Sequence, residues 1–295
     1  MRILNFGSLN LDYVYQVPHF LAPGETMAAL SQQVHPGGKG LNQSIAMARA
    51  GASVCHAGAI GQDGEMLAQL LRQQGIDTTY LQTLDCLQGN AIIQVTPQGE
   101  NCILLYGGSN QAVTPDQVAQ TLAHFGPGDL LVVQNEVSCL PQMIELAAQR
   151  GMQVALNPSP FEDSLLSLPF DKITWLFINE VEGAQMTGQT EPDEILRVLR
   201  ERYPLLQVVL TLGHNGSICA AQGRTIHQPI FKVKAVDTTA AGDTFTGYFL
   251  AALTENRPLE ECMRRAAAAS AISVSRAGAS VSIPTPAEVD ALLNA

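Results

Sequence analysis

Short, almost wholly apolar runs alternate with amphipathic helical stretches along most of this 295-residue chain, and this alternation constrains the fold most. The predicted strands are residues 2–6, 53–59, 129–133, 153–157, 174–177 and 207–212. The predicted helices between them are residues 40–50, 65–74, 115–124, 141–150, 180–187 and 192–203. Apolar strands without polar alternation are typical of sheets covered on both faces. The pattern therefore predicts an α/β fold with a doubly wound, mostly parallel central sheet and helices on both faces.

Two segments interrupt this alternation. Residues 13–36 show no helical period, and residues 89–106 read as a hairpin around the turn PQGE at 97–100. We expect a single domain over residues 1–295, with inserted segments of about 12–36 and 89–107 forming a small β-sheet lid. Such a lid would exclude water from transfer chemistry. An ordinary extension of the sheet edge is the alternative.

Composition and charge exclude several classes of protein. With 46% hydrophobic and 15% charged residues the chain is not disordered, and no apolar run is long enough for a membrane span, so no membrane partner is expected. Sixteen Lys and Arg against twenty-seven Asp and Glu leave a net charge of -11 without a basic stripe, so no nucleic-acid partner is expected. Six dispersed cysteines without a CxxC pair indicate reduced thiols. With no visible secretory signal, we expect a cytoplasmic location.

The segment DTTAAGDTF at 237–245 carries the strongest chemical signal. It follows a strand-like run at 231–236 and precedes a predicted helix at 243–253. Small residues let the backbone approach a ligand, and the first helical turn offers unpaired N–H groups that attract anions. Asp243 would lie there as an ionised carboxylate able to accept a proton. Helix capping is the alternative role for Asp243, but the neighbouring small residues and a second carboxylate at Asp237 favour catalysis.

The segment GGKGLNQS at 37–44 is a second candidate ligand site. Its three glycines permit close backbone approach, while Lys39 and Asn42 supply donors for hydroxyl and phosphate oxygens. Alone it is equally consistent with a flexible turn. The chain lacks GxxxxGK[ST], GxSxG and HExxH, and it has no GxGxxG at the first strand–helix turn, which argues against a nicotinamide oxidoreductase.

Taken together, GGKGLNQS and DTTAAGDTF, in this order, resemble the motifs of the ribokinase family of sugar kinases. Further similarity is found in GSLNLD at 7–12, NP at 157–158, NEVE at 179–182 and TLG at 211–213, so the resemblance covers essentially the whole chain. It implies a ribokinase-like fold and transfer of the γ-phosphoryl group of ATP to a sugar hydroxyl with Mg²⁺.

The resemblance also implies a role for each matching residue. Asp243 would be the general base, with an anion hole formed by the backbone N–H groups of Ala241, Gly242 and Asp243. The residues implied to hold the sugar are Asn10, Asp12, Gly38, Lys39, Asn42, Glu136 and Asp243. Those implied to bind ATP are Asn179, Thr211, Gly213, Gly216 and Gly242, with Glu182 acting indirectly on magnesium. Those matching a site for an activating monovalent cation, potassium, are Asp237, Thr239, Ser273, Arg276, Gly278 and Ser282.

The sugar-contacting set favours D-ribose, phosphorylated at its 5-hydroxyl. Deoxyribose, fructose, a nucleoside such as adenosine, and a non-catalytic sugar-binding protein are the alternatives. The sequence departs from the family pattern at Leu41, Ser44, Thr246 and Ala267, and Ala267 takes a place near adenine that is often polar. We also expect a homodimer through the lid, by analogy with the family and because an exposed lid sheet would otherwise present apolar surface.

Overall fold

A computed structural model describes residues 1–294 of the protein. The strands are β1 (Ile3–Phe6), β2 (Asn10–Gln16), β3 (Ser31–Gly37), β4 (Val54–Ile60), β5 (Leu81–Thr83), β6 (Asn90–Val95), β7 (Asn101–Tyr106), β8 (Leu130–Gln134), β9 (Gln153–Asn157), β10 (Trp175–Asn179), β11 (Gln207–Thr211), β12 (Ser217–Ala221) and β13 (Arg224–Gln228). The α-helices are α1 (Lys39–Arg49), α2 (Glu65–Gln73), α3 (Pro115–Leu122), α4 (Leu140–Gln149), α5 (Glu180–Thr187), α6 (Pro192–Arg202), α7 (Ala241–Thr254), α8 (Leu259–Val274) and α9 (Pro286–Leu293).

The nine strands of the large sheet run in the order β13-β12-β11-β10-β9-β8-β1-β4-β5. Pairing is parallel from β5 to β11 and antiparallel for β12 and β13 at one edge. Strand order therefore reverses between β1 and β8. In open α/β sheets, ligands bind at the carboxyl ends of the strands beside such a switch point.

The sheet separates two hydrophobic cores, which confirms the predicted helices on both faces. One face is covered by α3 to α6, and the other by α1, α2 and α7 to α9. On the second face α1 and α7 approach closely, because a Cβ at Gly247 of α7 would overlap Ala46 of α1. This contact brings the beginnings of the two helices, which carry the two sequence motifs, to the same place.

A separate four-stranded sheet is built from the two inserted segments, in the order β3-β2-β6-β7. β2 pairs in parallel with β6, while β3 and β7 pair antiparallel to their neighbours. Every side chain of the edge strand β7 is exposed, including Ile103, Leu104 and Leu105. The predicted small β-sheet is therefore present, and it begins with Asn10 and includes Gly37.

One predicted strand is wrong, and several strands were not predicted. Residues 231–236 are irregular and mostly exposed, because β13 already forms the sheet edge and Pro229 separates this run from it. The hairpin of β12 and β13 and the short strand β5 were missed. The other predicted strands and helices agree with the structure to within two residues. Within residues 1–294 no helix combines the length and apolarity needed to cross a bilayer.

Candidate active site

The carboxyl ends of β1 and β8, on the two sides of the switch point, are joined by polar contacts. Ser8 follows β1, and its hydroxyl donates a hydrogen bond to Oε2 of Glu136, which follows β8. The same Oε2 accepts the backbone N–H of Lys39 at 3.1 Å, at the start of α1. Glu136 thereby holds the beginning of α1 against both strands.

Two glycines let strand β3 of the small sheet turn into α1 at this point. Gly38 has a φ of 95°, and a Cβ there would lie 3.0 Å from the carbonyl oxygen of Ser8 and 3.1 Å from the backbone nitrogen of Asn10. A Cβ at Gly37 would overlap the carboxylate of Asp12. The backbone here therefore lies directly against the side chain of Asp12 and the backbone at Asn10, the two β2 residues predicted to hold a sugar.

Asp243 lies in the first turn of α7 and is only 7% exposed. Its Oδ2 accepts a hydrogen bond from Nδ2 of Asn42 at 3.1 Å, and its Oδ1 accepts one from Nε2 of Gln43 at 2.9 Å. Ala240, in the left-handed conformation with a φ of 60°, precedes the helix, and none of the side chains that the structure describes caps it. The capping alternative for Asp243 is thus wrong, since its carboxylate is directed towards α1.

The backbone amides at the beginning of α7 differ from the prediction at one position. The N–H of Ala241 donates to the carbonyl oxygen of Thr238 at 3.2 Å, so it is occupied in this conformation. Among residues 1–294, the N–H groups of Gly242 and Asp243 have no hydrogen-bond acceptor, as expected for the first turn of a helix. A Cβ at Gly242 would meet no atom of the described residues within 4 Å. Two amides beside an open space form a site for an anion.

Two cavities meet at this helix end. The larger, with a volume of 440 Å³, extends from Gly213 and Gly216 to Ala267, and the smaller, of 210 Å³, extends from Lys39 to Asn179 and Glu182. The residues that line both cavities are Thr211, Thr238, Ala241 and Gly242. Asp243 lines the smaller one. The structure thus brings the predicted nucleotide and phosphate residues around one continuous space.

Lys39 places a positive charge among the carboxyl groups around the smaller cavity. Burial opposes the charge of its ammonium group, but Asp243, Glu136 and Glu182 together raise the pKa of Lys39 above its ordinary value. Burial also raises the pKa of Glu136, although Lys39 and the hydroxyl of Ser8 counteract it. A permanent cation therefore lies among three carboxyl groups, where it can neutralise phosphate charge.

The two β2 residues predicted to hold the sugar have different surroundings. Burial, helped by the negative charge of Glu136, raises the pKa of Asp12 to about 7. Asn10 is 7% exposed, and its Oδ1 accepts a hydrogen bond from Nδ2 of Asn110 at 2.8 Å. Asn42 has a buried Oδ1 with no partner among the described residues, so it can still accept a hydroxyl hydrogen.

Asn179 and Glu182 form a capping box at the start of α5. Oδ1 of Asn179 accepts the N–H of Glu182 at 2.8 Å, and Oε2 of Glu182 accepts the N–H of Asn179 at 2.9 Å. Oε1 of Glu182 also accepts the hydroxyl hydrogen of Ser159. These two side chains therefore stabilise the helix start while lining the smaller cavity.

The six residues predicted to surround a monovalent cation fall into two contacting groups and one outlying side chain. Oδ1 of Asp237 accepts both the N–H and the hydroxyl of Thr239, and its Oδ2 accepts the N–H of Gly278. Partial burial opposes ionisation of Asp237, but these bonds outweigh it and lower its pKa. Ser273 and Ser282 share a 2.8 Å hydrogen bond. The Arg276 side chain instead pairs with Glu288.

Sequence reasoning missed several buried amides and one hydroxyl that hold the site together, namely Asn5, Ser8, Gln43, Asn110 and Gln134. Gln43 stands next to Asn42 in the recognised motif, so its position in the sequence could have indicated that it belongs to the site. Ser8 likewise lies in the recognised segment GSLNLD, whereas Asn5, Asn110 and Gln134 lie outside the motifs and reach the site only through the fold. Within residues 1–294, no three His, Cys, Asp or Glu side chains cluster as ligands for a metal ion.

A switch-point site, a free helix end and two connected cavities define a phosphotransferase that acts on a small molecule. The chain belongs to the pfkB family of carbohydrate kinases, whose profile matches residues 2–286. It is 40% identical to a ribokinase of Haemophilus influenzae over 96% of this chain and 95% of that protein. It is 30% identical to a deoxyribokinase of Salmonella typhi over 97% and 96%, respectively. The structure of Arabidopsis thaliana ribokinase complexed with ribose and ATP superposes with a TM-score of 0.87 at 30% identity, covering 99% of this chain and 98% of that one.

Proposed function

We propose that this protein is an ATP-dependent ribokinase, which transfers the γ-phosphoryl group of ATP to the 5-hydroxyl of D-ribose. The observation that carries the proposal is the beginning of α7, where Gly242, with its free amide, lines both cavities and Asp243, with its carboxylate and free amide, lines the smaller one. A base and anion donors at one point are what phosphoryl transfer requires. The similarity to ribokinases supports ribose as the acceptor.

In the proposed reaction Asp243 accepts the proton of the sugar hydroxyl as its oxygen attacks the γ-phosphorus. The new oxygen–phosphorus bond forms while the bond to the bridging oxygen of ATP breaks, and ADP leaves. The amides of Gly242 and Asp243 and the ammonium group of Lys39 stabilise the negative charge that spreads over the transferred group. General-base catalysis of this kind contributes about 10²–10⁴-fold to the rate.

The sugar would lie between β2 and the beginning of α1. Asn10, Asp12, Asn42 and Glu136 offer oxygen acceptors and amide donors, and the backbone of Gly38 allows close approach. The unpartnered Oδ1 of Asn42 supports this placement, since a sugar hydroxyl would satisfy it. Deoxyribose is the second candidate, because a deoxyribokinase is among the similar proteins.

The nucleotide would occupy the larger cavity, with Gly213 and Gly216 beside its base and Thr211 and Asn179 nearer the phosphates. Mg²⁺ prefers oxygen ligands and is commonly held by nucleotide phosphates with one or two carboxylates. Glu182, a carboxylate on the smaller cavity, fits an indirect role on such an ion through water. The ion would neutralise phosphate charge.

Potassium activation is proposed for the loop before α7. Backbone and side-chain oxygens around Asp237, Thr239, Ser273, Gly278 and Ser282 would bind the cation, and Arg276 would contribute through its backbone. The lowered pKa of Asp237 supports a negative charge there near neutral pH. Cation binding would then stabilise the turn that presents the amides of Gly242 and Asp243.

We further propose that the lid sheet pairs with a second copy of the chain. Ile103, Leu104, Leu105 and Tyr106 of β7 are each more than half exposed, and an apolar strand edge of this kind favours association. A Leu104→Glu variant that sediments exactly like the unmodified protein would contradict this. A cytoplasmic location, where ATP is available, is consistent with six free thiols.

The experiment that tests the function is coupled release of ADP across a panel of ribose, deoxyribose, fructose and adenosine. We expect the highest kcat/KM for ribose, a requirement for Mg²⁺, and a higher rate in potassium than in sodium. Turnover of ribose no better than that of the other acceptors would overturn the ribose assignment. Rates that are equal in the two salts would remove the proposed cation site.

A further inference from the structure

A continuous chain of buried amide side chains leads from Asp243 into the centre of the protein. Nε2 of Gln43 donates to Oδ1 of Asp243 at 2.9 Å. Nε2 of Gln134 donates to Oε1 of Gln43 at 2.7 Å and to Oδ1 of Asn5 at 3.0 Å. Nδ2 of Asn5 donates in turn to the carbonyl oxygen of Gly40 at 2.8 Å. The three amide residues are fully buried and come from α1, β8 and β1.

The carbonyl oxygen of Gly40 determines which way each amide in this chain points. A carbonyl can only accept, so Asn5 must turn its nitrogen towards Gly40 and its oxygen towards Gln134. Gln134 must then donate from its nitrogen to the oxygen of Asn5. The same nitrogen faces Gln43, so Gln43 must accept with its oxygen. The nitrogen of Gln43 is therefore left facing Asp243, where it donates to the carboxylate.

This orientation is kept although it leaves one acceptor unpaired. Oε1 of Gln134 is buried without a hydrogen-bond partner among the described residues. Turning the Gln134 amide over would place this oxygen against the oxygens of Asn5 and Gln43. Such contacts between acceptors are repulsive, so the turned orientation is less stable. The room for Gln134 depends on Gly7, where a Cβ would lie 2.6 Å from Oε1.

On the far side of Asn5, the chain of amides ends at a pair of uncharged residues, Ser44 and His56. Nδ2 of Asn5 also donates to the hydroxyl of Ser44, which lies 2.8 Å from Nδ1 of His56. Burial lowers the pKa of His56 to about 4, so this residue is uncharged near neutral pH. Among residues 1–294, Asp243 is therefore the only charged group hydrogen-bonded to this chain of amides.

We propose that Gln43 is a positioning residue for Asp243, held in its donating orientation by Gln134 and Asn5. The inference rests on the proposed function, because it assumes that Asp243 is the base. Asn42 and Gln43 each bind one carboxylate oxygen, so together they fix the plane of the carboxylate. Each oxygen keeps a further lone pair for the substrate proton.

The donor from Gln43 has a second effect, on ionisation. A hydrogen bond to a carboxylate favours its charged form, which is the form that acts as a base. Removing the donor takes away this preference for the charged form. The acidic limb of the pH–rate profile should then move to higher pH, a change that a general loss of packing does not produce.

The test is a Gln43→Met variant, which keeps the length of the side chain but cannot donate. We expect kcat to fall about 10- to 100-fold, as for loss of a hydrogen bond to a charged group, with the KM for sugar nearly unchanged. We also expect the acidic limb of the kcat profile to move to higher pH. The control is Gln117→Met, another buried glutamine, whose amide bonds to the carbonyl of Gly58 and lies away from Asp243.

A second variant, Gln134→Met, and a reference variant, Asp243→Asn, distinguish failure of this inference from failure of the proposed function. Gln134→Met leaves the Gln43 amide free to turn and should give a smaller shift in the same direction, which keeps the test valid if Gln43→Met does not fold. A Gln43→Met profile that superimposes on that of the unmodified enzyme, or equal effects of Gln43→Met and Gln117→Met, would overturn the proposal. Asp243→Asn serves as the reference. If that variant retains full turnover, the proposed function fails; if it is inactive but Gln43→Met is normal, only this inference fails.

Discussion

The two cavities that meet at Gly242 are built from different kinds of residue. The smaller one is lined by charged and amide side chains such as Lys39, Asp243 and Asn179, and Glu182 on its wall is hydrogen-bonded to both Asn179 and Ser159. The larger one is lined mainly by small or apolar residues, among them Phe231, Ala267 and others of α8. Directional hydrogen bonds thus surround the proposed reacting groups, whereas small and apolar residues surround the space proposed for the remainder of the nucleotide.

This difference has a physical cause. Phosphoryl transfer depends on the direction of each donor and acceptor, and a buried polar group is tolerated only where it is paired. A flat aromatic base, in contrast, is held well by apolar contact, which needs no precise direction. Changes on the polar side should therefore reduce kcat, and changes on the apolar side should affect binding of ATP.

The largest effect is expected for Asp243→Asn. The amide cannot take the proton of the hydroxyl, so kcat should fall at least about 100-fold. Sugar binding, measured by calorimetry, should persist, because Asn10, Asn42 and Glu136 are intact. Unchanged turnover would show that the polar side does not supply the base.

Gly242→Val should have the next largest effect and tests the point shared by both cavities. Its Cβ would meet no protein atom within 4 Å, so the fold should tolerate the side chain, which would instead occupy the anion site. We expect a loss of roughly 10²-fold in kcat with a nearly unchanged melting temperature. Gly247→Ala is the matched contrast: its Cβ would overlap Ala46, so it should reduce stability by about 1–3 kcal/mol. A Gly242→Val enzyme with normal turnover would contradict the anion site.

Asp12→Asn should increase the stability of the protein while it weakens sugar binding. The pKa of Asp12 is raised to about 7, first by burial and second by the charge of Glu136. In the unfolded chain this group loses its proton near its ordinary pKa of about 4, so the folded state loses stability as the pH rises from about 4 to about 7. Removing the charge should therefore stabilise the protein above pH 7 by an amount on the order of 2 kcal/mol, allowing for partial exposure.

The advantage of Asp12→Asn should shrink as the pH falls towards 5, and urea unfolding at several pH values measures it. At the same time the KM for sugar should rise several-fold at pH 8, because an acceptor of two hydroxyl hydrogens has been replaced. In the unmodified enzyme the KM for sugar should rise as the pH falls through 7. If the variant is less stable than the unmodified protein at every pH, burial does not disfavour the charged form of Asp12.

Ala267→Leu is expected to have the smallest effect and tests the apolar side. The added side chain fills part of the 440 Å³ cavity, so the KM for ATP should rise less than about tenfold while kcat and the KM for sugar stay the same. Steady-state kinetics with each substrate varied in turn measures this. A drop in kcat as large as that of Gly242→Val would contradict the division between the two sides.

Much of the fold was predictable because its signals are local. Runs of apolar residues specify strands covered on both faces, and the helices that follow them have a clear period, so most boundaries agree closely. Residues 231–236 have the same apolar character but lie beyond β13 without a partner strand. Strand formation needs a neighbour, and the composition of a segment does not reveal one.

For the site, the two glycine-containing motifs were visible in the sequence, and their resemblance to motifs of the ribokinase family predicted that they act together. The hydrogen bond from Gln43 to Asp243 was not, because it depends on how closely α1 and α7 approach at Gly247 and Ala46. The occupied amide of Ala241 depends likewise on the turn at Thr238, which is a matter of geometry rather than residue type.

By itself, the order of residues determined the layered α/β arrangement, the family and the positions of the glycine-rich turns and of the proposed base. All of these follow from patterns within short stretches of chain. Tertiary structure alone decided which amides meet Asp243, which way they point and how strongly Asp12 resists ionisation. Those properties arise because burial makes hydrogen bonds and charges depend on neighbours that lie far away in sequence.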